Sequence, residues 1–225
     1  MEDHLHIITG HYGSGKTEFA VNLALSFADA GLTPLLADLD IVNPYFCSRE
    51  QKGRLTARGV RVVLPCGGGA DVPAVNPEVS ALLERGVCGV MDVGGDPAGA
   101  RVLGRFAQRI YGIEHELLCV VNFSRPETNT PEKAEDYLRQ IERSARLSVT
   151  GLVNNTHLCG DTTREDVRRG ARLAKALSSA TGIPIQYHAF DARLSSGMRL
   201  PQKTLFPMDI VMKKPWETDI EQTGK

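Results

Sequence analysis

Short apolar runs alternate with amphipathic helical segments along most of the chain. The first run, Leu5–Thr9, is rich in β-branched residues and predicts a buried strand. After residue 17, apolar side chains recur at helical spacing until Gly31, which ends the predicted helix. The same patterns predict further strands at residues 33–37, 60–64, 87–91, 116–121, 148–153 and 183–187. They predict further helices at residues 77–85, 100–111, 131–146 and 163–180, the last with Thr162 and Glu165 spaced as a capping box.

Regular alternation of strands and helices is typical of a parallel sheet covered by helices on both faces. The sequence therefore predicts an α/β fold of the three-layer α/β/α type, with a mostly parallel central sheet of about seven strands. The alternation stops near residue 191, and residues 205–211 are a possible edge strand. Because no linker interrupts the chain, we expect a single domain over residues 1–225, with an irregular extension over about 191–225.

An eight-residue segment between the first strand and the first helix carries the main functional signal. It reads Gly10-His11-Tyr12-Gly13-Ser14-Gly15-Lys16-Thr17 and fits the pattern G-x-x-x-x-G-K-[ST] without mismatch. In such a loop, glycines let successive N–H groups point at a polyphosphate, and the following helix adds its partial positive charge. Lys16 is predicted to bridge the terminal phosphates, and Thr17 is predicted to hold Mg²⁺. The alternative is a glycine turn with an incidental lysine, which the flanking strand and helix argue against.

Acidic residues follow two predicted strands at the sheet edge where ligands of open α/β proteins bind. Asp92 follows one strand and begins Asp92-Val93-Gly94-Gly95, a D-x-x-G pattern. We expect Asp92 to bind Mg²⁺ through water and the Gly95 N–H to sense the γ-phosphate. Asp38 and Asp40 follow another strand, where one carboxylate can face the metal and the other the attacking water. A solvated turn is the alternative for this aspartate pair.

Composition and charge narrow the possible function classes. A net charge of −1 and a pI of about 6.6 give no bulk charge for recognising a polyanion, so no DNA partner is expected. No apolar run approaches the roughly 18–20 residues of a membrane span, and the first residues lack a signal-peptide pattern. The five cysteines form no C-x-x-C pair, which argues against a disulfide framework. We therefore expect a cytoplasmic protein without membrane contact.

The motifs together resemble the MinD/ParA branch of P-loop ATPases, which includes the Mrp-type carriers and the nitrogenase iron protein. The resemblance rests on the glycine loop, on Ala20-Val21-Asn22-Leu23-Ala24 and on Leu35-Leu36-Ala37-Asp38-Leu39-Asp40. It covers residues 5–45 and 87–104. It implies Mg-ATP binding with slow hydrolysis, a nucleotide-dependent homodimer and a protein partner.

The resemblance also implies roles for individual residues. The catalytic set is Lys16, Asp38 on the metal side and Asp40, which would orient the attacking water. The implied Mg²⁺ ligands are Thr17, Asp92 and Asp38, partly through water. The implied nucleotide-binding set is the loop from Gly10 to Thr17 together with Glu18, Gly95 and Asn155. Asn155 is placed near the purine, with Asn154 as the alternative.

The chain departs from that branch in three respects. His11 stands where the branch usually has a lysine that reaches the nucleotide of the second subunit, and histidine is shorter and mostly neutral near pH 7. Gly99 stands where the iron protein has a cluster-ligating cysteine, and the C-x-x-C of Mrp-type carriers is absent. These departures argue against electron transfer and iron–sulfur cargo.

The sequence thus predicts a Mg²⁺-dependent ATPase that acts as a nucleotide-controlled switch on a protein partner, with metalloenzyme maturation as one setting. Two alternatives stay open: an ATP-dependent small-molecule kinase or ligase similar to dethiobiotin synthetase, and a nucleotide sensor that does not hydrolyse. Because the [NT]-K-x-D guanine motif is missing, adenine is expected over guanine.

Overall fold

The computed structural model describes residues 4–39, 52–63, 77–84, 87–95 and 97–212. Its strands are β1 (Leu5–Thr9), β2 (Leu35–Asp38), β3 (Arg61–Val63), β4 (Gly89–Asp92), β5 (His115–Val121), β6 (Gly151–Asn154), β7 (Ile185–Asp191) and β8 (Leu205–Met208). Its α-helices are α1 (Lys16–Asp29), α2 (Lys52–Ala57), α3 (Pro77–Ala81), α4 (Pro97–Ile110), α5 (Pro131–Ala145) and α6 (Arg164–Thr181).

The strands form one sheet in the order β3-β2-β4-β1-β5-β6-β7-β8, and every neighbouring pair in the described residues is parallel. β1 lies at the centre, between β4 and β5. The predicted parallel α/β sheet is confirmed. It has eight strands rather than about seven, because β8 joins as the edge strand that the sequence indicated only as possible.

Two apolar layers cover the sheet, and alternate residues of β1 contribute to opposite layers. Ile8 packs with Phe19 and Leu23 of α1 on one face. Ile7 packs on the other face, in the layer that contains Leu103, Leu138 and Leu177 of α4, α5 and α6. Side chains of a strand alternate between faces, which places the sheet between the helical layers and confirms the α/β/α arrangement. No helix in the described part of the chain is long and apolar enough to cross a membrane.

Helix α6 begins with a capping box one residue later than predicted. The Thr163 side chain accepts a hydrogen bond from the Asp166 N–H, and the Asp166 carboxylate accepts one from the Thr163 N–H. The predicted pair of Thr162 and Glu165 was wrong, because adjacent threonines and adjacent acids offer two equivalent registers. The Thr162 hydroxyl instead accepts a hydrogen bond from the Leu158 N–H, in the turn that precedes the helix.

The C-terminal segment, predicted to be irregular from about residue 191, contains β8 and is bound to α1. Asn22 donates a hydrogen bond to the Asp209 carbonyl at 3.0 Å and accepts one from the Asp209 N–H at 2.9 Å. The Glu18 carboxylate accepts hydrogen bonds from the N–H groups of Val211 and Met212 at 2.8 and 3.1 Å. These contacts hold the last described residues against the helix that follows the glycine loop.

Candidate functional site

The segment between β1 and α1 folds as a tight loop that approaches its neighbours closely. Gly13 and Gly15 have φ angles of 72° and 80°, which glycine adopts without steric cost. A Cβ atom on Gly15 would overlap the Asn155 amide, and one on Gly13 would lie 2.9 Å from Nε of Arg125. The glycine pattern is therefore required both by the backbone conformation and by the space around it.

Helix α1 starts inside this loop, at Lys16. Lys16 and Thr17 are 7% and 9% exposed, so both side chains lie largely within the fold. The first N–H groups of any helix lack intrahelical acceptors, and the helix dipole gives this end a partial positive charge. The Ser14 hydroxyl is also buried and makes no hydrogen bond to the described residues. This combination of N–H groups, ammonium and hydroxyls suits a polyphosphate.

Asp38 and Asp92 occupy paired positions on the neighbouring strands β2 and β4. Asp92 is also paired with Ile8 of β1, whose side chain belongs to the layer of α1. Because paired residues of a sheet project to the same face, both carboxylates face the α1 layer. Each aspartate is only 1% exposed. Their strands end at the edge where the glycine loop leaves β1.

The side chains at this edge are of types that fit a magnesium ion. Asp38 and Asp92 would supply carboxylate oxygens, and Thr17, at the start of α1, would supply a hydroxyl. Mg²⁺ prefers such hard oxygen ligands and keeps several of its waters. Asp40, the predicted water-orienting residue, lies outside the described residues, so its role stays a prediction.

Two other predicted nucleotide-binding residues make contacts that the sequence did not indicate. The Asn155 amide donates to the Ser14 carbonyl at 2.8 Å, so this buried side chain supports the main chain of the loop. The Glu18 side chain faces the C-terminal segment, and burial raises the pKa of its carboxyl, although hydrogen bonds from Val211 and Met212 oppose this. A nucleotide contact by Glu18 is thus limited to its main-chain N–H.

The D-x-x-G segment lies directly against the glycine loop. A Cβ atom on Gly95 would overlap the Gly10 carbonyl, so the two main chains touch. The Tyr137 hydroxyl of α5 donates a hydrogen bond to the Gly95 carbonyl. The His11 ring contacts the Tyr137 ring edge-on at 4.7 Å, and His11 Nδ1 lies 2.8 Å from the Tyr12 carbonyl. His11 therefore packs within its own chain, while Tyr12 is 63% exposed.

Three residues of the site were missed by the sequence analysis: Arg125, Tyr137 and His157. Nε of Arg125 donates to the Gly13 carbonyl at 3.0 Å. Burial lowers the pKa of His157 to about 4, and the positive charge of Arg125 adds to this effect. Arg125 and His157 follow β5 and β6 at the ligand-binding edge, which is the signal that would have found them. Tyr137 lies within a helix and has no comparable signal.

The chain has the P-loop NTPase fold. This class of protein is defined by a central strand, glycine loop and helix, with acidic residues at the ends of two neighbouring strands. No protein-family model matches the sequence, and no curated protein matches it either. Similarity is found instead among solved structures, where the chain resembles FtsY proteins.

Three of these structures illustrate the similarity. The chain is 18% identical to chloroplast FtsY from Physcomitrella patens, covering 83% of this chain and 58% of that one with a TM-score of 0.54. The cell division protein FtsY from Thermotoga maritima is 20% identical, with 83% of this chain and 61% of that one covered and a TM-score of 0.53. The signal recognition particle receptor FtsY from Elizabethkingia anophelis, in complex with GDP, is 18% identical, with coverages of 83% and 57% and a TM-score of 0.52.

The chain therefore spans about three fifths of the length of these FtsY structures. At identities this low, the similarity confirms the fold and leaves the MinD/ParA-type resemblance a prediction.

Proposed function

We propose that this chain is a Mg²⁺-dependent ATPase whose nucleotide state controls its binding to a protein partner. The observation that carries the proposal is the pairing of Asp38 with Asp92, both buried on the α1 face beside the glycine loop. This pairing supports a site in which carboxylates from two strands lie across from Thr17. The resemblance noted in the sequence suggests metalloenzyme maturation as the setting.

In this proposal each residue has a defined task. Lys16 and the N–H groups of residues 13–17 neutralise the charge that develops on the transferred phosphate. Thr17, Asp92 and Asp38 hold Mg²⁺, which neutralises further phosphate charge when bound. Asp40 orients the attacking water, and the Gly95 N–H binds the γ-phosphate.

ATP is proposed over GTP because of the residues that follow β6. They read Asn155-Thr156-His157 and contain no carboxylate to accept the two N–H donors on the guanine edge. With its pKa lowered to about 4, His157 is neutral at pH 7 and has a single acceptor nitrogen, whereas a carboxylate has two oxygens and a negative charge. A FtsY structure contains GDP, so guanine is the specific competitor to test. We expect ATP to displace a fluorescent nucleotide at about tenfold lower concentration than GTP; equal or stronger competition by GTP would contradict adenine preference.

The main experiment compares ADP release and ATP affinity of the wild-type chain and Lys16→Ala. The variant should lose ATP binding or turnover, because it lacks the Lys16 ammonium, which is the main positive side chain of the loop. Lys175→Ala is the matched control, because Lys175 is exposed on α6, which packs on the opposite face of the sheet from α1. Unchanged affinity and rate in Lys16→Ala would refute the proposal.

Asp40→Ala separates binding from chemistry. It should retain ATP affinity and slow hydrolysis by about 100-fold, as expected for loss of a group that assists proton transfer. An equal loss of affinity and rate would show that Asp40 has a binding role instead. Light scattering with and without Mg-ATP tests the switch, because a nucleotide-dependent homodimer should double the mass.

A nucleotide sensor without hydrolysis is the second candidate, and the position of His11 favours it. His11 packs against Tyr137 of its own chain, where the resembling ATPases have a lysine that reaches across to a second subunit. ATP affinity that depends on Lys16, combined with no ADP release, would support the sensor over the ATPase.

A further inference from the structure

A second cluster of functional side chains lies at the sheet edge opposite the glycine loop. His4 and His6 are two residues apart at the start of the first strand, so both project toward the α1 face. Glu116 of β5 is the paired residue of His6, and its Oε2 lies 3.1 Å from His6 Nδ1. One ligand atom from each of these three residues lies within 4.8 Å of the others.

We propose that His4, His6 and Glu116 bind a divalent first-row transition-metal ion such as Zn²⁺. Two imidazoles and one carboxylate form a donor set that suits these ions and leaves a position for water. Ligand atoms of a tetrahedral zinc site are about 3.4 Å apart, given bonds of about 2.1 Å. The His6–Glu116 pair is already close to this spacing, at 3.1 Å. The His4 side chain is 27% exposed and can rotate to complete the site.

The surroundings of the three ligands also favour a cation. Nε2 of His4 is buried and makes no hydrogen bond to the described residues, so it is available as a donor. The His6 ring packs at 4.9 Å against Phe27, in the last turn of α1, where the helix dipole is negative. Oε2 of Glu114 lies 3.8 Å from Nδ1 of His4 and can orient that ring, as outer carboxylates do for metal-bound histidines.

This metal site is independent of the proposed nucleotide site. β1 separates the two, and its five residues span roughly 16 Å. The donor sets also differ, since imidazole nitrogen does not suit Mg²⁺. A structural alternative exists in which His6 and Glu116 form only a cross-strand hydrogen bond; the experiment must distinguish it from metal binding.

The test titrates the nucleotide-free chain with Co²⁺ and with Zn²⁺ under reducing conditions. We expect one equivalent of Co²⁺ to give the visible absorption of four- or five-coordinate cobalt. Zn²⁺ affinity, measured by competition with a chromophoric chelator, should fall at least about tenfold in His4→Ala and in Glu116→Gln. Zn²⁺ should also raise the unfolding temperature of the wild-type chain more than that of either variant.

Two controls remove other possible ligands. His115→Ala removes a histidine beside Glu116 whose Nδ1 lies near the Ile113 carbonyl, and Cys159→Ser removes an exposed free thiol. Both should keep the wild-type Zn²⁺ affinity. The proposal is overturned if His4→Ala and Glu116→Gln bind Zn²⁺ as tightly as the wild type, or if only the controls lose binding. Should Glu116→Gln fail to fold, His4→Ala decides, because His4 lies before the first residue of β1.

Discussion

The hydroxyl of Tyr137 donates a hydrogen bond to the carbonyl of Gly95, the glycine that ends the D-x-x-G segment. The same tyrosine ring contacts the His11 imidazole of the glycine loop at 4.7 Å. One side chain of α5 therefore joins the two segments that surround a nucleotide in the proposed switch. Any movement of Gly95 relative to the loop must break or rebuild this contact.

Tyr137→Phe should lower the free energy of unfolding by about 1 kcal/mol, because it removes this hydrogen bond and retains the ring. Urea denaturation measures the change. Tyr111→Phe is the control: that hydroxyl also donates to a main-chain carbonyl, of Arg146 at 3.2 Å, but Tyr111 is 62% exposed. The control should change the free energy of unfolding by less than about 0.5 kcal/mol. Equal changes in the two variants would show that the Tyr137 hydrogen bond stabilises the fold no more than an exposed one does.

Gly95→Ala should weaken ATP binding by at least about tenfold and destabilise the fold by about 1–3 kcal/mol, the usual cost of overpacking. The reason is that the added Cβ overlaps the main-chain carbonyl of Gly10, which cannot move without distorting the loop. Gly160→Ala is the control, since a Cβ there has no neighbour within 4 Å. Calorimetric titration with ATP measures the affinity, and wild-type affinity in Gly95→Ala would contradict the described contact.

His157 should make the fold sensitive to mild acid. Its pKa is lowered from 6.5 to about 4 by burial, so between these values the unfolded chain binds a proton that the folded chain does not. The contribution of His157 to the free energy of unfolding is therefore complete above pH 6.5 and is lost as the pH falls toward 4. This lowers the free energy of unfolding by about 2–3 kcal/mol.

Urea denaturation at pH 7.5 and at pH 4.5 measures this effect of His157. His157→Asn should lose less stability than the wild type between these two conditions. His115→Asn controls for the removal of any histidine and should behave as the wild type does. The same pH dependence in His157→Asn and in the wild type would assign the acid sensitivity to other groups.

Arg125→Gln should weaken nucleotide binding by about tenfold, equivalent to about 1.4 kcal/mol. The variant loses the hydrogen bond from Nε to the Gly13 carbonyl and a positive charge next to the loop. Arg164→Gln is the matched control, because Nε of Arg164 donates to the Leu194 carbonyl at an exposed position. Equal affinities in the two variants would show that Arg125 does not support the loop.

The sequence was sufficient to predict the site where the functional residues lie next to the strands and helix that position them. The strand, glycine loop and helix at residues 5–29 are contiguous, so the motif predicted both their structure and their position at the carboxyl edge of the sheet. Asp38 and Asp92 were also found, because an acid directly after a buried strand must lie at the carboxyl edge of a parallel sheet.

Contacts between distant segments could not be predicted in this way. Tyr137 meets Gly95 only because α5 packs across the sheet edge, and no local pattern specifies which helical residue arrives there. Glu18 lies next to the motif, yet its side chain is directed by residues 211–212, which lie almost two hundred positions later. Helix α2 has six residues, too few for a helical periodicity to be recognised.

The central position of β1 also has a consequence for how the chain folds during synthesis. β1 pairs with β4 and β5, so its second neighbour is complete only when residue 121 has left the ribosome. In the described residues no two neighbouring strands form a hairpin, because all run in the same direction. β1 is translated before either of its neighbours and obtains the second one only after β2 and β4 already have both of theirs. A nascent chain ending before β5 therefore leaves one edge of β1 exposed.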